Sequence, residues 1–280
     1  HCQFEHCVDP PSLSLIVPVL HRGLRERAAQ AKRKTSHITG NMCSLLADRK
    51  DIVPYLPLLL PELRAVLHDP IPEVRSTGAK ALGRLCAGLG EEHFPDLLPW
   101  LLNSLSKDGS TVERAGAAQG LSEVLSALGD AKFAEILPTL LEGCAAAEAQ
   151  AREGFYTMWI HLPTVLGKRF EPFLEEVLPI VLEGLADDNS AVRDTAMRGA
   201  QAMIAIYLEA AAGLLLPPLQ AGLSDTNYRI RESSADLLGT LMGRMTQGEA
   251  VEVVEEGKET PADSPLATVP VPQQHALLAA

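Results

Sequence analysis

The residues best suited to binding chemistry form a short basic run near the start of the chain. With Glu26, the run has a net charge of +5 over thirteen residues, in a chain of 280 residues whose formal net charge is −12. Guanidinium and ammonium groups attract the phosphates of nucleic acids and the carboxylates of acidic proteins. We therefore take the run as the candidate binding surface, and a solvated charged face is the alternative. Its members are Arg22, Arg25, Arg27, Lys32, Arg33 and Lys34.

A second group of arginines recurs at regular intervals, and most of its members follow an acidic residue. A guanidinium can bind a carboxylate through two parallel hydrogen bonds. We therefore predict a structural ladder between adjacent repeats rather than a binding site. Arg33 and Glu26 begin the series, and the fourth repeat has Ala146 and Ala147 where the acid is expected. The predicted ladder consists of Asp69, Arg75, Asp108, Arg114, Arg152, Asp187, Arg193, Asp225 and Arg231.

The sequence offers little support for a metal or cofactor site. His1, Cys2, His6 and Cys7 are close together, but they lack the second ligand pair that a zinc finger requires. The remaining cysteines lie at positions typical of a helical core, where a thiol acts as a small hydrophobic group. We expect no cofactor and no metal; these cysteines are Cys43, Cys86 and Cys144.

Nothing in the sequence predicts catalysis. The segment EGFYTMWIH (153–161) contains a carboxylate, a phenol and an imidazole, but no second acid or nucleophile is placed to work with them. No nucleophile elbow, phosphate loop, HExxH motif or dinucleotide fingerprint is present. We therefore expect neither an enzyme nor a small-molecule substrate, and we expect Trp100 and Trp159 to pack in the core.

The elements that must position these residues are repeated helical hairpins. A proline follows an apolar pair or triplet six times, at intervals of 38 to 43 residues, and an arginine follows each proline by 14 or 15 residues. This period is typical of HEAT and armadillo repeats. The prolines are Pro18, Pro61, Pro99, Pro138, Pro179 and Pro217.

Each repeat is predicted to contain an A helix with the proline and a B helix that begins near the arginine. Apolar residues of segment 74–89 lie on one face at helical spacing, and Gly90, Gly129 and Gly167 occupy positions expected for glycines that end helices. One hairpin cannot bury its apolar face alone, so neighbours must stack. The predicted fold is an all-α solenoid of about six HEAT-type hairpins.

Composition agrees with this fold and bears on the class of ligand and the cellular location of the protein. Hydrophobic residues make up 46% of the chain and aromatics only 4%, which favours Ala- and Leu-rich helix packing over a sheet. The acidic balance argues against a protein that coats nucleic acid non-specifically. An odd number of scattered cysteines and the absence of a long apolar run predict a cytosolic protein without a membrane span.

Three regions follow from the pattern. Residues 1–9 are predicted to be a frayed N-terminus, residues 10–245 the HEAT solenoid, and residues 246–280 a disordered tail rich in acids and proline. Because the chain begins at His1 rather than Met, we expect a fragment.

Several segments together resemble one family, the general control nonderepressible activator of the amino-acid control kinase. The resemblance covers roughly residues 10–245 and lies in the part of that family similar to elongation factor three. The segments are PYLPLLLPEL (54–63), DPIPEVRSTGAKALG (69–83), DLLPWLLNSL (96–105), ERAGAAQGLSEV (113–124), VRDTAMRGAQ (192–201) and RIRESSADLLG (229–239).

The resemblance implies a cytosolic scaffold that binds ribosomes and an ATP-binding-cassette protein of the F type, and ribosomal RNA is then one candidate ligand of the basic run. It also implies support for the kinase that phosphorylates initiation factor two alpha in amino-acid starvation, with the kinase held by other regions of the parent protein. It carries over no catalytic residue. The alternatives are a tubulin-binding HEAT array, which the first turn disfavours because it lacks an aromatic residue, a transport-receptor fragment, and a generic protein-docking solenoid.

Overall fold

The chain folds into consecutive helical hairpins. The computed structural model describes residues 8–106 and 109–247, and these form two compact units, one ending at Leu140 and the other beginning at Leu141. Within these residues the only β pairing is an isolated bridge between Val8 and Leu46. Over the described residues, the predicted all-α fold of about six HEAT-type hairpins is confirmed.

The hairpins pair an A helix with a B helix six times. Short 3₁₀ helices at Arg49–Tyr55, Glu91–His93 and Gly167–Phe173 precede the second, third and fifth A helices. The pairs are α1 (Pro10–Leu24) with α2 (Ala29–Leu45), α3 (Leu56–Leu67) with α4 (Pro72–Leu89), α5 (Leu97–Ser106) with α6 (Thr111–Leu128), α7 (Asp130–Cys144) with α8 (Ala149–Leu166), α9 (Leu174–Gly184) with α10 (Ser190–Ile206), and α11 (Leu208–Gly222) with α12 (Tyr228–Gln247).

In the first unit the B helices α2, α4 and α6 pack side by side, and the A helices cover one side of them. Their contact is close because small residues face the neighbouring helix. A Cβ added to Gly40 of α2 would lie 2.7 Å from the Cα of Ala81 in α4. Leucine is the commonest residue in the core between the layers, and Leu63, Leu82 and Leu121 are fully buried.

In the second unit α8 and α10 form the corresponding pair of B helices. This core is richer in aromatic residues: Trp159 and Phe170 are fully buried, and their ring centroids are 6.4 Å apart. The Tyr207 hydroxyl donates to the carbonyl oxygens of Pro163 and Gly167, at 2.9 and 2.5 Å. These bonds tie the end of α10 to the end of α8.

The recurring prolines all lie in A helices, but their positions within those helices differ. Pro18, Pro138 and Pro217 lie well inside α1, α7 and α11. Pro99 is instead the third residue of α5, where a helix has no intrahelical partner for the missing N–H. The prolines therefore do not share one position within the A helices.

The predicted helix ends are confirmed for three B helices. Gly90, Gly129 and Gly167 follow the last residues of α4, α6 and α8 with φ values of 90°, 96° and 54°. This backbone region is open to glycine and strained for other residues. At the other end of α6, Ser110 and Glu113 form a reciprocal capping box.

The described residues contain no helix long and apolar enough to cross a bilayer. The predicted tail lies outside the described residues from position 248 onward, as do residues 1–7 of the predicted frayed N-terminus. The region boundaries drawn from the sequence therefore stay predictions.

The three cysteines that the sequence placed in the helical core, Cys43, Cys86 and Cys144, are buried free thiols. Burial raises the pKa of Cys86 to about 12.

Candidate partner-binding surface

The structure divides the basic run into two groups. We call Arg22, Arg25 and Arg27 the turn group, because they lie at the end of α1 and in the connection to α2. We call Arg33 and Lys34 the helix group, because they lie in the second turn of α2. All five side chains are exposed, and Lys32 is half-buried between the two groups.

The turn group has one weak internal contact. The Nε atom of Arg25 lies 3.7 Å from Glu62 Oε1, and the Arg25 side chain remains 63% exposed. His21 Nε2 lies 3.2 Å from the same oxygen. Arg22 and Arg27 have no ion pair within the described residues. Exposed pairs of this kind contribute little energy, so the turn group keeps its charge available to a partner.

Lys32 differs from the rest of the run because it is used inside the fold. Its Nζ donates to Asp69 Oδ2 at 2.5 Å, across the first two hairpins, and the Asp69 side chain is only 6% exposed. Burial of Asp69 opposes ionisation. The bonds from Lys32 and the Ile71 amide outweigh this burial and lower the pKa of Asp69. Lys32 thus holds two repeats together and is a poor candidate for binding a partner.

The helix group borders an open groove of about 490 Å³ between α2 and α4. Most of the residues that line the groove belong to α2, and Thr77 belongs to α4. Ile38 is 45% exposed in this groove. The full lining is Gln30, Arg33, Lys34, His37, Ile38 and Thr77.

The repeating arginines share one contact that the sequence did not predict. Each is the fourth residue of its B helix, and helical side chains point back toward the N-terminus. In each case Nη1 therefore reaches carbonyl oxygens of the preceding A–B turn. The donors and acceptors are Arg75 to Asp69 and Pro70, Arg114 to Gly109, Arg152 to Ala146 and Ala147, Arg193 to Asp187 and Asp188, and Arg231 to Asp225 and Thr226, at 2.6 to 3.0 Å.

The same register shows that Lys32, rather than Arg33, belongs to the series. Lys32 is the fourth residue of α2, and its amide donates to the Ala28 carbonyl in the same way that the Arg75 amide donates to Ile71. Residue type misplaced the position by one residue: Lys32 follows Pro18 by 14 residues, as in four of the other five repeats, but only its neighbour Arg33 is an arginine.

The turn acids also share a local role. In Asp69, Asp187 and Asp225, Oδ1 accepts the amide of the residue two places later, at 3.0, 2.8 and 2.7 Å. Such a bond fixes the turn backbone. The signal was present in the sequence as an Asp two residues before the last residue of each of these three turns.

Ion pairs of the predicted ladder form between some successive hairpins and not between others. Lys32 meets Asp69, and Arg152 meets Asp187. Arg193 and Asp225 form no ion pair within the described residues; Arg229 instead bonds Asp188 at 2.9 Å. Asp108 lies outside the described residues. The stabilising effect of the ladder stays a prediction.

The remaining sequence candidates have packing roles or lie outside the description. Trp159 is fully buried, and its Nε1 donates to Cys144 Sγ at 3.3 Å. Trp100 is half-buried beneath the Arg64 guanidinium, 4.7 Å from the ring centroid. The Tyr156 hydroxyl donates to the Ile180 carbonyl. His1, Cys2, His6 and Cys7 lie outside the described residues, and no metal-like cluster of His, Cys, Asp or Glu occurs within residues 8–106 and 109–247.

Family models match most of the chain in two pieces. The elongation factor 3/GNC1 HEAT repeat model matches residues 1–96, and the EF3 N-terminal HEAT repeat model matches residues 114–247. Among solved structures, Kap121p bound to RanGTP has a TM-score of 0.54 at 14% identity, covering 85% of this chain and 28% of that chain. At that identity the likeness shows the fold alone.

Curated relatives align along nearly the whole chain. "Protein ILITYHIA" of Arabidopsis thaliana is 48% identical over 256 residues, which cover 91% of this chain and 10% of that protein. "Stalled ribosome sensor GCN1" of Homo sapiens is 41% identical over 259 residues, which cover 89% of this chain and 10% of that protein. "eIF-2-alpha kinase activator GCN1" of Saccharomyces cerevisiae is 44% identical over 244 residues, which cover 87% of this chain and 9% of that protein.

The fold and these matches define the class as a HEAT-repeat protein of the elongation factor 3 type. Within that class the chain belongs to the GCN1 family, as its sequence segments indicated. The chain spans about a tenth of the length of these relatives.

Proposed function

We propose that this chain is a non-catalytic scaffold segment in translational control. In this proposal it binds ribosomes in the cytosol and helps activate the kinase that phosphorylates initiation factor two alpha under amino-acid starvation. The names of two relatives, a stalled ribosome sensor and an eIF-2-alpha kinase activator, support this role. A solenoid of stacked hairpins suits a scaffold because it offers a long surface built from equivalent turns.

The observation that carries the proposal is the exposed turn group in an otherwise acidic chain. Arg22 and Arg27 have no ion pair within the described residues, and Arg25 is 63% exposed. Clustered, unpaired guanidinium groups bind phosphates and release counterions, which makes the affinity dependent on salt. The proposed ligand of the turn group is the phosphate backbone of ribosomal RNA.

The proposal includes two protein partners. One is an ATP-binding-cassette protein of the F type, which would bind the surface of the hairpins. The other is the stress kinase, which would be held by regions of the parent protein outside this chain. Neither partner requires a cofactor or a small-molecule substrate in this segment.

Co-sedimentation of the full chain with purified ribosomes across a salt series tests the ribosome contact, with tubulin as a parallel bait. We expect the chain to pellet with ribosomes at low salt, to be released as salt rises, and not to pellet with tubulin. The variant Arg22→Glu/Arg25→Glu/Arg27→Glu should lose most of this binding.

The matched control reverses the same number of charges elsewhere. Arg49, Lys50 and Lys168 are exposed residues of the 3₁₀ helices, and the first two follow the opposite end of α2. Reversing these three should leave pelleting nearly unchanged. Equal losses in both triple variants, or unchanged pelleting of the turn-group variant, would contradict a specific role for the turn group.

A further inference from the structure

The groove between α2 and α4 presents only hydrogen-bond donors among its charged and ionisable side chains. Arg33 and Lys34 lie on its α2 side and have no ion pair within the described residues. No carboxylate lines it. Of the other basic groups nearby, Lys32 is paired with the Asp69 carboxylate, whereas Arg84 donates to the uncharged amide of Asn41. Arg33 and Lys34 are the cations that line the groove itself.

The imidazole of His37 is held as a further donor. Arg84 Nη1 donates to Asn41 Oδ1 at 2.9 Å, and because arginine can only donate, this contact orients the oxygen of the Asn41 amide. The Asn41 Nδ2 then faces His37 Nδ1 at 3.5 Å and must be the donor. A ring whose Nδ1 accepts carries its proton on Nε2. His37 therefore offers Nε2–H as its free polar group.

An apolar side chain lies among these donors. Ile38 lines the groove and is 45% exposed. Thr77, across the groove, also lines it, and its hydroxyl donates to the Glu73 carbonyl. The groove thus combines anion recognition with a contact for an aliphatic side chain.

We propose that this groove binds an acidic peptide segment of a partner protein in which carboxylates flank an aliphatic residue. Lys34 and Ile38 are one helical turn apart, a rise of about 6 Å along α2. Alternate residues of an extended peptide are separated by about 6.7 Å on one face. A glutamate bound by the helix group can therefore place the side chain two residues further along the peptide over Ile38.

The apolar part of the lining favours a peptide over RNA as the occupant. Single-stranded RNA is bound mainly by stacking its bases on aromatic rings, and no Phe, Tyr or Trp lines this groove, whose one ring is that of His37. A phosphate backbone would also leave Ile38 facing a polar ligand. This inference concerns the helix group and does not require the proposed ribosome contact of the turn group.

Fluorescence anisotropy of the full chain with three labelled probes tests the proposal. The probes are an octapeptide with Glu and Leu in turn at every second position and Ser between them (Glu-Ser-Leu-Ser repeated, the Glu–Leu peptide), the same octapeptide with Ser in place of Leu, and a ten-nucleotide uridine RNA. We expect the Glu–Leu peptide to bind at least fivefold more tightly than either other probe. Binding that weakens as salt rises would support recognition by the charges of Arg33 and Lys34. A preference for the Glu–Leu peptide would support the apolar contact with Ile38.

Variants separate the groove from the turn group. Arg33→Glu/Lys34→Glu should weaken Glu–Leu peptide binding at least tenfold, and Ile38→Ser about threefold or more. Arg22→Glu/Arg25→Glu changes the charge equally and should weaken it less than twofold, provided that circular dichroism shows all variants folded. Preference for RNA, absence of peptide binding, or equal losses in both charge variants would overturn the proposal, whatever the result of ribosome co-sedimentation.

Discussion

Arg152 of α8 and Asp187 of the α9–α10 turn form a two-pronged ion pair across successive hairpins. Arg152 Nε donates to Asp187 Oδ2 at 2.7 Å, and Nη2 donates to Oδ1 at 2.9 Å. The two side chains are 19% and 12% exposed. Nη1 of the same guanidinium holds the carbonyls of Ala146 and Ala147. One side chain therefore fixes its own turn and the turn of the next repeat.

Replacing Arg152 with Ala should destabilise the protein by about 2–3 kcal/mol, because it removes charge-assisted bonds and leaves the half-buried Asp187 carboxylate without its ion-pair partner. Arg231→Ala is the matched control, since exposed Arg231 binds two turn carbonyls but no carboxylate. The control should cost about 0.5–1.5 kcal/mol. Calorimetric melting of both variants measures the difference. Equal shifts would mean that the Asp187 contact adds no stability.

The same pair predicts a pH dependence. Burial of Asp187 opposes ionisation, but the bonds from Arg152 and the Asn189 amide outweigh it, so the pKa lies below its ordinary value of 3.8. A carboxyl with a lowered folded pKa contributes stability that is complete above its unfolded pKa and is lost as pH falls through the folded pKa. Asp187→Asn should therefore lower the melting temperature at pH 7 and have a smaller effect near pH 3.

Asp188→Asn provides the control for this titration. Asp188 is the next residue, and its side chain is fully exposed despite its bond to Arg229. Its substitution should change the melting temperature little at either pH. A loss for Asp187→Asn that is as large at pH 3 as at pH 7 would show that the substitution acts through packing rather than through charge.

The sequence predicted the hairpins well because their signals are local. Proline within the A helix, cap-forming residues in the turn and apolar spacing along the B helix each act within one repeat. The pairing of repeats was harder to predict, because it depends on which side chains meet across a stacked interface. Arg193 and Asp225 keep the predicted spacing, yet they form no ion pair with each other. Asp188 and Arg229 instead form an ion pair that no sequence pattern predicted.

The candidate site was predicted as a single run, and the structure separates it by environment. Net charge and spacing identified Arg25 and Arg33 but did not distinguish them from Lys32. The distinction depends on Asp69, which is 37 residues away in sequence and bonds Lys32 directly. The groove likewise depends on Thr77 of the next hairpin, so a one-dimensional pattern could not show it.

The register of the first B helix gives a direct stability test. Lys32→Ala leaves the buried Asp69 carboxylate without its ion-pair partner and should cost about 1–3 kcal/mol. Arg33→Ala changes an exposed neighbour and should remain within about 0.5 kcal/mol of the parent. Urea denaturation of the two variants measures both. A larger loss from Arg33→Ala would place Arg33 rather than Lys32 in the repeating series.

Close packing of the third hairpin depends on Gly116 of α6. A Cβ at this position would lie 1.8 Å from the carbonyl oxygen of Leu67, the last residue of α3. A backbone atom cannot move aside as a flexible side chain can, so Gly116→Ala must separate α6 from α3. We expect a loss of about 3 kcal/mol from this overpacking.

The matched control for Gly116 is Gly239 in α12. Nothing lies within 4 Å of a Cβ added there. Alanine is the better helix former by about 0.5–1 kcal/mol, so Gly239→Ala should raise the melting temperature. Opposite signs for the same substitution would show that contact between repeats, rather than helix propensity, sets the cost at Gly116. If both variants were stabilised, α6 and α3 would have to pack less closely than the structure shows.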